Sequence, residues 1–341
     1  MKNLSYDIFK FTHSAPTLTA PKIVCIGGGT GLSVILRKLK ALSPNITAVV
    51  TVADDGGGSG VLRNDLKMLP PGDIRQCILA LSQTEPLMEE LLMYRFNEGN
   101  LSGQSFGNLF LAAMTGISGG NFVDAVRKVS QVLKVTGKVL PVTDCDVYLC
   151  AALENGMTVC GESDIGHSTH KYKSKITDVF LKSVDESRKI APLPEVIEAI
   201  GKADIIVLGP GSLYTSILPN LMVPEISDAI HRAKAKVIYI NNIMTQPGET
   251  DGYTAFDHVD AILKHTCPDF MDYCIVNCGS VPKNLLFKYI EDGAGIVKND
   301  TEKIRAKGIE VIESDLVEIN PMGLVRHNSA ALAETIAKLI V

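Results

Sequence analysis

No apolar run in this sequence approaches the length of a membrane-spanning helix; the runs are short and broken by glycine or polar residues. Charge of neither sign accumulates: the net charge is −5 and the isoelectric point about 5.8. That balance gives no electrostatic reason to expect nucleic acid or an anionic membrane as partner. An anionic ligand would therefore depend on local devices, such as loop amides, helix N-termini and a few basic side chains. Cysteine occurs eight times, at 25, 77, 145, 150, 160, 267, 274 and 278, but never as Cys-x-x-Cys. Several of these lie in apolar strands, where a free thiol behaves as a small hydrophobe, so reduced cysteines and a cytoplasmic location are expected.

Several catalytic signatures are missing too. There is no G-x-x-x-x-G-K-[ST] phosphate loop and no G-x-S-x-G elbow. His167 and His170 form H-x-x-H, but glycine and serine surround them in an expected hairpin loop, and zinc is not expected there. No nucleophile–base pair stands out, so catalytic residues stay unassigned. Residues 1–21 mix Lys, Tyr, Asp and His with no continuous apolar core. They read as a flexible N-terminal extension and not as a signal peptide.

What is present is an alternation of strand and helix. With 341 residues the chain can bury a large core, and 46% hydrophobic against 21% charged residues is ordinary globular composition. Lys22–Ile26, Ile46–Val52, Asp204–Leu208, Lys236–Ile240 and Tyr273–Asn277 read as buried parallel strands. Helical periodicity runs through Leu32–Leu39, Glu85–Phe96, Ser105–Ile117, Phe122–Leu133, Pro194–Lys202, Ile226–Ala233 and Asn328–Ile340. Around 147–183 the period changes: Tyr148–Leu153 and Met157–Cys160 flank Asn155-Gly156, a hairpin signal, and Asp178–Lys182 adds another strand. The expectation is one Rossmann-like α/β domain over 22–341, a doubly wound and mainly parallel sheet, with a small antiparallel hairpin module inserted at 147–183.

Ligands of such sheets sit at the carboxyl ends of the strands, and three strand ends carry unusual residues. After the first comes Gly27–Gly31 (GGGTG). Consecutive glycines let main-chain amides approach an anion, the next helix adds its positive end, and Thr30 can donate a hydroxyl. The dinucleotide fingerprint G-x-G-x-x-G is incomplete, because Leu32 stands where the third glycine belongs. The stretch reads better as a diphosphate cradle than as a nicotinamide site, with NAD kept as the alternative. After the second strand comes Asp54–Gly60 (DDGGGSG). Asp54 is spaced to hold ribose hydroxyls, or with Asp55 a Mg²⁺ ion on a diphosphate; Asp55 could instead open an Asx-turn. The third is Gly209-Pro210-Gly211-Ser212, whose serine is placed to cap a helix. Two glycine loops facing one cleft are expected.

Weaker signals accompany these. Asp73 and Arg75 in PPGDIR are placed for a cleft or for helix capping, and Asn108 in SFGN for ligand contact or turn ordering. Asn241–Thr250 (NNIMTQPGET) follows a strand and offers Gln246, Glu249 and Thr250 to a substrate. Arg326 would supply the positive charge the glycine loops lack. Beside it, Ser329 at a helix start is where a regulatory kinase would act with large local effect.

Taken in order, GGGTG, ADDGGGSG, PPGD, SFGN, LGPGS and NNIMTQPGET resemble the 2-phospho-L-lactate transferase superfamily, and within it the bacterial gluconeogenesis factor family, over roughly residues 22–340. The resemblance implies a Rossmann-like fold. In the transferase branch it implies Mg²⁺-assisted transfer of a phospholactyl group from a nucleotide diphosphate donor. In the factor branch it implies UDP-sugar binding and a role in cell shape and wall synthesis during gluconeogenic growth, with no established reaction. Motif positions carried over are Gly28, Thr30, Gly31, Asp54, Asp55, Asp73, Asn108, Gly211 and Ser212, with Arg326 from the factor branch. Joined to the reading of the residues themselves, the expected ligand set also takes in Gly29, Gly209 and Gln246. The expected partner is a nucleotide sugar and not a nucleic acid; a homo-oligomer is left open.

Overall fold

The computed structural model describes residues 20–166 and 171–340, so the N-terminal stretch up to residue 19 and the His167–His170 pair lie outside the described residues. Its centre is a seven-stranded sheet, every pair of which is parallel. The strands are β1 (Ile23–Gly27), β2 (Ile46–Val50), β3 (Lys138–Pro141), β7 (Ile205–Leu208), β8 (Lys236–Ile240), β9 (Tyr273–Asn277) and β10 (Glu310–Ser314), ordered β10-β9-β8-β7-β1-β2-β3. The chain starts in the middle, runs outward through β2 and β3, then returns to β1's other side as β7 and runs outward the opposite way. The switch of direction falls between β1 and β7, which pair from Ile23↔Ile205 to Ile26↔Leu208.

Both faces of the sheet are covered, and that is why its strands read as continuous apolar runs. Along β1 successive side chains alternate between two cores: Val24 and Ile26 enter one, Ile23 and Cys25 the other. On the second face sit α1 (Gly29–Leu39), with Leu32, Ile35, Leu36 and Leu39 fully buried, α3 (Gly72–Leu81), and the final helix Ser329–Ile340. The first face is covered by the helices Pro194–Gly201, Ile226–Arg232 and Ala255–His265. Burial pushes the Cys25 thiol up to about 12, the behaviour of a packed apolar group.

The antiparallel module is a three-stranded sheet, β4 (Val147–Leu153) flanked by β5 (Thr158–Cys160) and β6 (Ile176–Ser183). Its Leu149, Ala151 and Val179 join the first core. The β4–β5 turn is longer than the two-residue form Asn-Gly suggests: Leu153 N donates to Met157 O, and Gly156 sits at φ 83°. Here one expectation fails. The thiols are not all free, because Cys150 and Cys160 lie directly opposite each other in the β4–β5 register and form a disulfide. The other six cysteines are unbonded. Opposed positions on paired strands bring two side chains together without any local sequence spacing.

Several further elements carry no clear signal in the sequence: α2 (Gly57–Leu66), the helices Lys283–Glu291 and Thr301–Arg305, edge strand β10, and the hairpin β11 (Val317–Ile319) with β12 (Val325–His327). Among the described residues no single helix is long and apolar enough to cross a membrane.

Candidate functional site

The two glycine turns lie side by side at the switch point. A Cβ on Gly31 would stand 2.3 Å from Pro210 O and 3.2 Å from Gly211 Cα; one on Gly27 would touch Gly209 Cα at 3.8 Å. Asn220 of the second half donates to Gly27 O at 3.1 Å, which ties the turns together. The glycines are thus required first by close packing of main chain on main chain. Leu32, where a dinucleotide site has glycine, is fully buried and packs against Gly27.

Gly29, Thr30 and Gly31 are not loop residues but the first turn of α1, with Gly28 as its N-cap. That turn carries no acidic side chain, so the helix's positive end is opposed only from outside. Asp73 does so: its carboxylate takes a hydrogen bond from the Gly29 amide, and its Cα lies 2.5 Å from where a Gly29 Cβ would be. Asp73 therefore does not cap its own helix; Pro71 holds that position in α3 with no side-chain hydrogen bond. Thr30 is exposed at the same turn.

The second acidic stretch resolves into two different jobs. Asp54 Oδ1 accepts from Gly56 N at 2.9 Å, so the Asx-turn belongs to Asp54 and not to Asp55. Asp55 Oδ1 accepts from the backbone N (3.0 Å) and Oγ (2.8 Å) of Ser163. Ser163 lies in the short helix α7 (Glu162–Ile165) of the antiparallel module. Asp55 thus fastens that module to the end of β2. Gly57–Gly60 open α2, and a Cβ on Gly60 would meet Asp55 O at 2.1 Å.

At the third strand end Gly209 takes φ 84°, and Gly209–Pro210 is a cis peptide. Ser212 does not cap the π-helical turn Leu213–Ile217 with its side chain; its Oγ accepts from Gln246 Nε2 at 2.7 Å. The strand end after β8 is thereby bound to the switch point. Gln246 N in turn donates to Thr250 Oγ1 at 2.9 Å. Asn108 is buried, and its Oδ1 accepts from Arg75 Nε at 2.8 Å, so it orients that guanidinium from behind.

Arg326 departs most from its expected place. It is exposed on β12, opposite Glu318, and its guanidinium donates to Val325 O; the structure shows no hydrogen bond from it to either glycine turn among the described residues. The neighbouring His327, which the sequence did not single out, hydrogen-bonds through Nε2 to Asn241 O at the end of β8 (3.0 Å). Burial holds His327 down at about 4, with the Arg326 charge adding to the effect. Ser329 is the first residue of the final helix, whose cap is Asn328: its Oδ1 accepts from Ala330 N and Ala331 N.

The larger omission is Glu162. From α7 it faces Asp54, Asp73, Glu249 and Asp55, and burial together with those carboxylates pushes it up to about 9. Burial likewise raises Glu249 to about 7 and Asp73 to about 6, and it raises Asp54. Glu249 is 7% exposed; Thr215 Oγ1 reaches its Oε1 at 3.4 Å, while Oε2 is buried with no partner. Four carboxyls from four separate segments therefore converge beside the glycine turns. Nothing local in GESDIG announces this; only the packing of the antiparallel module brings Glu162 there.

Glycine turns meeting at the switch point of an all-parallel seven-stranded sheet, beside a helix N-terminus and converging acids, place the chain among the doubly wound α/β proteins. Residues 23–317 match the family described as 2-phospho-L-lactate transferase CofD. The chain belongs to that family and, within it, to the gluconeogenesis factors. It is 50% identical over 321 residues to the gluconeogenesis factor of Bacillus subtilis, covering 94% of this chain and 98% of the relative. A putative gluconeogenesis factor of Thermoanaerobacterium thermosulfurigenes is 54% identical over 340 residues, covering both chains in full. The crystal structure of a UPF0052 family member from Bacillus halodurans superposes with a TM-score of 0.87 at 46% identity, over 93% of this chain and 99% of that one.

Proposed function

We propose that the chain is a cytoplasmic binder of UDP-sugars, needed for cell shape and wall synthesis during gluconeogenic growth. The observation that carries this reading is the contact of the Gly28–Gly31 and Gly209–Ser212 turns at the β1/β7 switch point. The diphosphate would lie at the first turn of α1, its oxygens taking the place of the Asp73 carboxylate on the Gly29 amide, with the Thr30 hydroxyl and the Ser212–Gln246 pair at its sides and the exposed Arg326 swinging in from its contact with Val325 O. Calorimetric titration with UDP-sugars tests it. Loss of one hydrogen bond to a charged oxygen costs about 1.5–3 kcal/mol, so Thr30→Ala and Arg326→Ala should each weaken binding by roughly tenfold or more. Unchanged affinity in both variants overturns the reading.

The converging carboxyls favour a second reading, a Mg²⁺-dependent transferase with a nucleotide diphosphate donor. Asp54, Asp73, Glu162 and Glu249 offer the carboxylate oxygens a hard divalent cation takes, and Glu249 Oε2 is buried without a partner; no three of these oxygens lie within 4.8 Å of one another, so the side chains would have to draw together around the ion. Asp55, engaged with Ser163, suits it less. A bound Mg²⁺ would supply charge neutralisation between donor and acid cluster; the chain's own contribution would be to orient the donor on the glycine turns. Product formed with donor and Mg²⁺, and abolished by Asp54→Asn, would displace the first reading.

A further inference from the structure

At the pole opposite the glycine turns, where the chain enters β8 and β9, three side chains of mixed chemistry converge. His231 closes the helix Ile226–Arg232, and Cys267 and Asp269 lie between the helix Ala255–His265 and β9. Cys267 Sγ stands 3.4 Å from His231 Nδ1, and His231 Nδ1 stands 3.8 Å from Asp269 Oδ1. All three ligand atoms fall within 4.8 Å of one another. In a tetrahedral zinc site, Zn–S of about 2.3 Å with Zn–N and Zn–O of about 2.0–2.2 Å place ligand atoms roughly 3.4–3.6 Å apart. The sulfur–nitrogen pair already has that separation, and the exposed Asp269 needs only side-chain rotation to reach it.

The groups are held, not merely near. His231 follows Ile230 and Ile226, both buried in the core. Cys267 and Asp269 are anchored by the buried Phe270 and Met271, and Asp272 Oδ2 accepts from Val237 N at 2.7 Å. Ligands fixed by buried neighbours lose little entropy when a metal arrives. Asp228, three residues before His231 on the same helix, adds a negative charge that acts on the Cys267 side chain.

We propose that His231, Cys267 and Asp269 form a zinc site that cross-links the two helix-to-strand connections entering β8 and β9. Thiolate and imidazole select zinc over Mg²⁺ or Ca²⁺, so the site is chemically distinct from the all-oxygen cluster at the other pole. It does not rest on the UDP-sugar reading.

Cobalt(II) titration of the reduced, untagged full chain tests it, because a thiolate ligand gives a charge-transfer absorption that oxygen ligands do not. One equivalent should bind with that absorption and be displaced by zinc. Cys267→Ser should abolish the band, and Asp269→Asn and His231→Ala should each weaken binding by about tenfold or more. Cys278→Ser, which removes the exposed thiol outside the site, should leave it unchanged. A wild-type chain without the thiolate band, or a Cys267→Ser variant that keeps it, overturns the proposal.

Discussion

Glu162 is where single-residue chemistry departs furthest from ordinary surface behaviour. Three carboxyls here titrate well above their free values: Asp73 at about 6, Glu249 at about 7 and Glu162 at about 9. The folded chain thus holds protons that the unfolded chain releases above pH 4–5, and it binds more protons throughout that window. Stability from these groups is complete below the unfolded values and is lost as pH rises toward the folded ones. The chain without added cation should therefore melt at a lower temperature at pH 8 than at pH 5.5. Glu162→Gln should flatten that decline. One titrating group accounts for at most about 1.4 kcal/mol per pH unit, less with solvent screening, and because the carboxyls titrate as a set the change spreads over the window. Mg²⁺ should raise the wild-type midpoint more at pH 8 than at pH 5.5. Equal pH slopes for wild type and Glu162→Gln would remove Glu162 from the cluster.

Among elements, the antiparallel module matters because Asp55 fastens it and Glu162 rides on it. Asp55 accepts two hydrogen bonds from Ser163, and the buried Arg63 pairs with Asp146 at 2.6 Å and donates to Val147 O at 2.7 Å where β4 begins. Hydrogen bonds to a carboxylate contribute about 1.5–3 kcal/mol each, less where, as at Asp55, the group is partly exposed. Asp55→Ala should raise amide exchange in Gly161–Ile165 by roughly tenfold or more and leave β7, β8 and β9 unaffected. Exchange unchanged in that helix would mean the module is held by its apolar contacts alone.

Elements also show what the sequence makes legible. Strands buried on both faces, such as β1 and β7, are readable because burial demands unbroken apolar runs. The edge strand β10 (EVIES) is only half buried and carries two glutamates, so no such run marks it. Gly57–Gly60 and Gly29–Gly31 look like loops, since glycine disfavours helix by about 1 kcal/mol each. Glycine stands at these helix starts because Asp55 O, Asp73 Cα and Pro210 O occupy the space a Cβ would need, and those contacts are invisible in the local pattern. The candidate site follows the same division. Its glycine turns and Asp54 were readable as strand ends, whereas Glu162, His327 and the Gln246–Ser212 hydrogen bond depend on how distant segments pack.

For the whole molecule, the sheet order gives the switch point its meaning. β1–β3 and β7–β10 are two halves wound in opposite directions from a shared seam, and the pair of glycine turns lies over the seam at the strand ends, with α1 behind one and Leu213–Ile217 behind the other. A ligand held as proposed touches both halves at once, so its binding energy must appear as protection on both. A UDP-sugar at one hundred times its Kd adds about 2.7 kcal/mol to stability, a rise of several degrees in a domain of this size. Hydrogen exchange should slow at Gly28–Leu32 in one half and at Gly211–Ile217 in the other, with Gln246 following through Ser212. Zinc at the opposite pole should instead slow exchange around Ile230–Val237 and Phe270–Cys274. Sugar-dependent protection confined to one half would mean that the seam does not bind the diphosphate, whatever affinity the titration returns.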